Sequence, residues 1–309
     1  MTHIAFIGLG RMGGPMAANL AKAGRELRGF DLDPRLCADA EAQGVRGASS
    51  AKAAARGAAA ILTMLPAGEA VLAVWQELLG CVERDALFID CSTIDIASAR
   101  RAHGLAAKAG RLSVDAPVSG GVAGARAGTL TFMCGGEAAA FERARPLLAE
   151  MGEKIVHCGE GGLGQATKIC NNMMLGATMI ATCEAFALAE RLGLSDKTLF
   201  DVASVSSGQS WSLTQYCPAP GILPTSPASC GYQPGFMTAL MLKDLRLAEA
   251  AAEQVGLPTP LAALAARIYA RYAGRGEAER DFSGVIRMIR EGRGPEVETP
   301  DPDERLKQA

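Results

Sequence analysis

HIAFIGLGRMGGPMAANL, residues 3–20, decides the reading of the fold. Ile4–Ile7 is an apolar run of strand length. Gly8, Gly10 and Gly13 follow in G-x-G-x-x-G spacing, and an alanine-rich helical stretch comes after them. In a strand, turn and helix of this kind Gly8 permits the tight turn. Gly10 lets a pyrophosphate approach the backbone, and Gly13 lets helix and strand pack closely. The helix N-terminus then presents free amides and the positive end of its dipole to the phosphates. A lone glycine pattern can be only a turn; the strand before it and the helix after it give this one its weight. Gly8, Leu9, Gly10, Arg11, Met12 and Gly13 are therefore expected to hold a dinucleotide.

Asp31 ends the next apolar run, 23 residues after Gly8. A carboxylate there accepts hydrogen bonds from the adenosine ribose and repels a 2′-phosphate, which favours NAD over NADP. Capping of the following turn is the plainer role for Asp31, and Arg35 nearby leaves some NADP use open. Leu65 and Pro66 close TMLP, and Ser92 and Thr93 close FIDCST. Both stand where strands of a doubly wound sheet end, the edge at which ligands bind, so both are candidate cofactor contacts. Thr93 as an ordinary helix cap is the alternative.

Around these motifs, strand-like runs alternate with helical stretches from residue 4 to about 157, which implies a parallel sheet with helices on both faces. From Gly164 to Gly193 the alternation stops and no proline occurs, so one long helix ended by glycine is expected. Further helices follow. The expected fold is α/β: an N-terminal Rossmann-like doubly wound sheet over 1–162 and an all-α domain over 163–293. A proline-rich, charged tail over 294–309 is expected to be disordered.

The 309 residues are 49% hydrophobic and 21% charged, enough to fill two cores. A net charge of -2 offers nucleic acid or an anionic membrane no electrostatic footprint. Nine scattered cysteines without a Cys-x-x-Cys pair argue against a disulfide framework or zinc site. With no visible targeting segment, a soluble cytoplasmic enzyme with a small-molecule partner and no metal is the expectation. The most apolar stretch, Ile169–Cys183, contains Asn171 and Asn172 and is shorter than a membrane span, so it reads as a buried helix.

For chemistry, His3, His103 and His157 stand in unpromising places, and attention passes to Lys168 and Asn172. Their spacing of four puts both on one helix face. A lysine leading an apolar helix is costly unless paired or used, although its head can also snorkel to water. Ser119, Gly120 and Gly121 can hold a carboxylate through hydroxyl and amide groups without bulky side chains in the way, unless the loop is simply flexible. Lys243 beside Asp244 is a third candidate, with surface pairing as the alternative.

GLGRMGGPMAANL, TMLP, DAPVSGG, the G-x-x-G-x-x-x-K-x-x-x-N run from Gly161 to Asn172, and LKDLRLA together resemble the β-hydroxyacid dehydrogenase family over about residues 3–291. Residues 208–236, with Trp211, Ser212, Tyr216, Pro218 and Pro220, are most similar to the branch whose substrate is 3-hydroxyisobutyrate, an intermediate of valine breakdown. The resemblance implies Lys168 as the catalytic residue with Asn172 beside it and Ser119–Gly121 on the substrate. It also implies Lys243 near the nicotinamide, Leu65, Pro66 and Thr93 on the cofactor, and a homodimer or homotetramer. Cys217, Cys230 and Ala70 depart from the family pattern. The implied reaction passes a hydride to NAD while Lys168 takes the hydroxyl proton. A free lysine, with a pKa of about 10.4, would need that value lowered by burial and neighbouring positive charge. Reduction of tartronate semialdehyde or another small 3-hydroxy acid shares every one of these features, and a non-catalytic dinucleotide-binding scaffold shares all but the lysine.

Overall fold

The computed structural model describes residues 3–292; the tail expected over 294–309 lies outside them. β1 (His3–Ile7) is buried at all five positions, as a strand covered on both faces must be. Its alternate residues serve two cores. Ile4 and Phe6 pack with Met16 and Leu20 of α1 (Gly13–Lys22), while Ala5 and Ile7 join a separate cluster beneath other helices. β2 (Leu27–Phe30) completes the first crossover, α2 (Pro34–Glu41) and β3 (Arg46–Gly47) make the second, and α3 (Ala51–Ala55) leads back across the sheet. β4 (Ala58–Thr63), α4 (Gly68–Leu79), β5 (Leu87–Asp90), α5 (Ile96–Lys108) and β6 (Ser113–Asp115) continue the winding on the other side of β1.

β7 (Val118–Ser119), α6 (Gly121–Ala127), β8 (Leu130–Gly135), α7 (Ala138–Ala149) and β9 (Gly152–Gly159) finish the sheet. The strand order is β3-β2-β1-β4-β5-β6-β8-β7, with β9 beside β8. Strands β1–β6 pair in parallel; β8 runs antiparallel to β6 and β7 and parallel to β9. The order reverses direction at β1, so the crevice between β1 and β4 is the switch point where a dinucleotide is received. Trp75 of α4 is 1% exposed and edge-on to Phe88 at 5.1 Å. Truncating such a ring to alanine costs about 3–5 kcal/mol.

α8 (Leu163–Arg191) is the long helix expected from the sequence. The chain forms two compact units, and their division falls within α8: one unit ends at Asn172 and takes in Ala250–Leu257, the other runs Met173–Glu249 and resumes at Pro258. The sequence placed the division before the helix. The difference arises because the first turn of α8 is bonded into the ends of β5 and β6 rather than to other helices.

The second unit holds the rest of α8 with α9 (Asp196–Ala203), the short α10 (Trp211–Thr214), α11 (Thr238–Gln254) as far as Glu249, α12 (Pro260–Tyr272) and α13 (Val285–Arg290). Met179, Cys183 and Phe186 share its core with Met241, Leu245, Tyr269 and Phe282. A side chain at Gly176 would stand 2.9 Å from Leu245, so α8 and α11 meet at a glycine. Asp281 orders the loop before α11: its carboxylate accepts from Tyr216 Oη at 2.8 Å and from the Gly235 and Phe236 amides at 3.0 Å.

Candidate active site

The glycine loop separates two kinds of requirement. A Cβ at Gly8, whose φ is +94°, would collide with the Met64 carbonyl, and one at Gly13 with the Gly8 carbonyl. Those two positions are small because the protein's own backbone fills the space. Gly10 has nothing within 4 Å of its Cβ position and no positive φ. Packing does not demand glycine there, whereas a pyrophosphate laid on the backbone does. The residue preceding α1, Met12, makes no side-chain cap, and Gly14 N donates to Gly10 O at 2.9 Å as the helix begins. The residues present fit a dinucleotide.

Asp31 ties this loop to the end of β2. Its Oδ2 accepts from Leu9 N at 2.7 Å and its Oδ1 from Asp33 N at 2.9 Å, which fixes the carboxylate beside the glycine turn. Each oxygen retains a lone pair for a ribose hydroxyl. Arg35 is turned onto Asp33, with Nη2 to Oδ2 at 2.7 Å and Nε to both oxygens. Asp33 also caps α2 through Arg35 N.

At the next two strand ends a buried polar network joins the loops expected from the sequence to meet the cofactor. Thr63, Asp90 and Asp115 stand side by side across β4, β5 and β6. Asp90 Oδ1 accepts from Thr63 Oγ1 at 2.7 Å and from Ser92 Oγ at 2.6 Å, and Trp75 Nε1 donates to Thr63. Ser92 Oγ in turn accepts from Leu65 N at 2.8 Å, so the Leu65–Pro66 and Thr93 loops are tied together. Burial, with the neighbouring Asp115 charge adding to it, pushes the Asp90 carboxyl up to about 6.

The seat of α8 is built from glycines and one carboxylate. A Cβ at Gly164 would strike the Met133 and Asp115 carbonyls, and one at Gly161 the His103 ring, which explains the glycine spacing ahead of the lysine. Asp115 accepts from Gly162 N and Gln165 N, both at 2.8 Å, and so caps the helix. Gln165, fully buried, donates Nε2 to Ser92 O at 2.7 Å and accepts at Oε1 from Ile94 N at 3.1 Å. Lys168 and Asn172 follow on the same face, buried at 7% and 1% exposure, and Asn171 Nδ2 donates to Asn172 Oδ1 at 3.0 Å.

The histidines are spoken for elsewhere. His103 bridges Ser113 and Asp115, His3 donates to Ala54 O, and His157 donates to Gly136 O and stacks on Phe141. Ser119 ends β7, paired with Thr131, and Gly120 and Gly121 turn into α6 with φ of +131° and +61°. A side chain at Gly120 would be strained whatever the ligand. Lys243 belongs to the second unit, 3.5 Å from Asp244 Oδ1. Among the described residues no group of three His, Cys, Asp or Glu side chains could hold a metal ion, and all nine cysteines are free.

Sequence reasoning marked the loop of Ser92 and Thr93 but passed over Asp90, Asp115 and Gln165. The polar residues Asp90 and Ser92 inside the apolar FIDCST run, and Asp115 at the end of β6, were the available signal.

A family model for the NAD-binding domain of 6-phosphogluconate dehydrogenase matches residues 3–159, and one for NAD-binding of NADP-dependent 3-hydroxyisobutyrate dehydrogenase matches 162–289. A protein of Mycobacterium tuberculosis named probable 3-hydroxyisobutyrate dehydrogenase is 50% identical over 94% of this chain and 98% of its own. A Pseudomonas aeruginosa protein named NAD-dependent L-serine dehydrogenase is 47% identical, again over 94% of this chain and 98% of its own. The solved structure of Mycobacterium tuberculosis 3-hydroxyisobutyrate dehydrogenase with L-serine is 50% identical and similar at a TM-score of 0.90, covering 94% of this chain and 99% of that one. With both halves matched and half the residues identical along nearly the whole length, the chain belongs to the 3-hydroxyisobutyrate dehydrogenase family of NAD-binding oxidoreductases.

Proposed function

We propose that this protein oxidises 3-hydroxyisobutyrate to methylmalonate semialdehyde with NAD as acceptor and Lys168 as general base. The observation that carries the reading is the placement of Lys168 and Asn172: both are buried on the face of α8 whose preceding turn is bonded through Gln165 to the loop bearing Thr93. That turn is anchored at the loop following β5, on the carboxyl edge of the sheet where folds of this kind receive their ligands. Ser119, Gly120 and Gly121 would receive the substrate carboxylate, and Asn172 would orient the hydroxyl. The dinucleotide supplies the hydride acceptor. As the carbinol C–H pair departs, Lys168 Nζ takes the hydroxyl proton and the carbonyl forms; in reverse the same Nζ returns the proton. Lys243, by resemblance alone, is assigned to the nicotinamide.

L-serine is the second reading, favoured by the Pseudomonas aeruginosa relative and by the structure holding L-serine. Both compounds present a primary alcohol next to the carbon that bears the carboxylate; they differ there by a methyl or an ammonium group. The decisive experiment is a kcat/KM panel of 3-hydroxyisobutyrate, L-serine and glycerate, each with NAD and NADP. We expect 3-hydroxyisobutyrate with NAD to lead by at least about tenfold. An L-serine lead of that size would replace the first reading with the second.

The wider setting belongs to the same proposal: valine breakdown, a cytoplasmic location, and a helical domain that serves substrate binding and assembles a homodimer or homotetramer. Exposed Met174, Ala181, Ala185 and Leu188 along α8 support self-association, which sedimentation would test.

A further inference from the structure

Gln165, which bonds the first turn of α8 to the loop bearing Thr93, is a fully buried amide with each end used. Its Nε2 donates to Ser92 O at 2.7 Å and its Oε1 accepts from Ile94 N at 3.1 Å. Those two backbone groups flank Thr93 on either side. Its own amide donates to Asp115 Oδ2 at 2.8 Å, fixing the helix end from which it projects. Lys168 is three residues on, the next position along the same face of α8. Ser92 is itself held below by Asp90 at 2.6 Å and is joined to Leu65 N, so the acceptor that Gln165 grips does not move independently of the cofactor loops.

We propose that Gln165 is a positioning residue: one side chain fixes the Thr93 loop against the turn of α8 that carries Lys168, setting the separation between cofactor contact and proton acceptor. This rests on the reading of Thr93 and Lys168 given above. The amide is suited to the task because it must donate to a carbonyl and accept from an N–H at once. Leucine can do neither, and a carboxylate can only accept.

That asymmetry supplies the test. Gln165→Leu leaves Ser92 O and Ile94 N buried without their partner, so the loop and the helix turn can shift independently. Because a displacement of about 1 Å at a reacting pair costs up to about 10²-fold, kcat per NAD-titrated site should fall at least about tenfold. NAD Kd should rise several-fold.

Gln165→Glu keeps the shape. As a carboxylate it sets an oxygen against Ser92 O with no proton between them; as the neutral acid it donates to Ser92 O and restores both bonds. The charged and titratable groups around it are Asp115 of β6 with His103 of α5 behind it, Asp90 at the end of β5, and Lys168 on α8 itself. All are common to variant and wild type. The Gln165→Glu to wild-type ratio of both kcat and NAD affinity should therefore climb as pH is lowered from about 8 to about 6. A side chain that merely filled space would give a flat ratio.

NAD titration in the absence of substrate does not depend on which residue is the base. Unchanged NAD Kd in Gln165→Leu together with a flat Gln165→Glu ratio overturns the proposal, whatever Lys168 does. Should Gln165→Leu fail to fold, the pH ratio of the isosteric variant decides alone. Failure of the base assignment has its own signature, a near-normal kcat in Lys168→Ala.

Discussion

The glycine loop after β1 and the seat of α8 after β9 are both glycine-lined turns into a helix, and both belong to the same unit, yet they are constructed differently. In the first the recognisable spacing is local, since Gly8, Gly10 and Gly13 lie within six positions and the partner of Gly13 is Gly8 itself, although Gly8 also meets the Met64 carbonyl. In the second the partners come from distant segments. Gln165 meets Ser92 across 73 residues and Asp115 across 50. A turn that closes on itself can be recognised from spacing alone. One that closes on other strands is recognisable only after the sheet has placed them.

Removing Lys168 should give the largest effect. Lys168→Ala is expected to lower kcat by roughly 10²-fold or more, the scale of losing a general base, with NAD titration normal. Lys168→Arg should restore little, because guanidinium keeps its proton at any working pH. Substantial rescue by arginine, with the alanine variant altered mainly in KM, would mean that Lys168 only anchors the carboxylate.

The glycine loop can be broken in two distinguishable ways. Gly13→Ala forces a methyl group into the Gly8 carbonyl, an overpacking that costs about 1–3 kcal/mol, so both Tm and NAD affinity should drop. Gly10→Ala adds a methyl group to open space. Its Tm should stay near wild type while NAD Kd rises about tenfold. A Gly10→Ala variant with normal NAD affinity would falsify the pyrophosphate assignment.

Cofactor choice tests the loop's tie to β2. With Asp31 fixed beside Leu9 and Arg35 folded onto Asp33, NAD should be preferred over NADP by at least about tenfold in kcat/KM, or about 1.4 kcal/mol. Asp33→Ala releases the guanidinium and should narrow that preference by a few-fold, a modest change because the ion pair is on the surface. Equal use of both cofactors by the wild type would remove Asp31 from its role. Because the family matched over 162–289 is that of an NADP-dependent 3-hydroxyisobutyrate dehydrogenase, the measurement is informative in either direction.

Much of the architecture was legible. The run of apolar strands and alanine-rich helices marked the doubly wound sheet, and the absence of proline after Gly164 marked α8. β3 and β7 escaped notice because two residues carry no periodicity, and α6 because glycine and alanine through 120–128 read equally well as a loop. The antiparallel pairing of β8 has no local signature at all. At the site, glycines, Asp31 and Lys168 could be picked out because their chemistry stands out against apolar surroundings. Gln165 could not, since its importance lies in two backbone groups that the sequence does not distinguish. Asp281 in the second unit was missed for the same reason: its partners Tyr216, Gly235 and Phe236 are all at least 45 residues away.

The smallest effect belongs to Asp90, beneath the seat of α8. Its carboxyl is raised from 3.8 to about 6, chiefly by burial, so the folded state favours the neutral form more than the unfolded chain does. The contribution to stability is therefore fully present below about pH 4 and is lost as pH rises through 6, where the buried group must ionise. Asp90→Asn keeps an oxygen for the Thr63 and Ser92 donors and carries no charge at any pH. Between about pH 5.5 and 7.5 only the last part of the titration remains, so the wild type should lose about 1 kcal/mol or less relative to the variant. For a chain of this size that is a relative Tm shift of at most about 2 °C. The quantity to record is the difference in Tm between variant and wild type at the two pH values, in which every other titrating group cancels. If that difference does not change, or moves so that the wild type gains on the variant as pH rises, Asp90 is already ionised in the folded protein and the network of Thr63, Ser92 and Leu65 is organised around a charge.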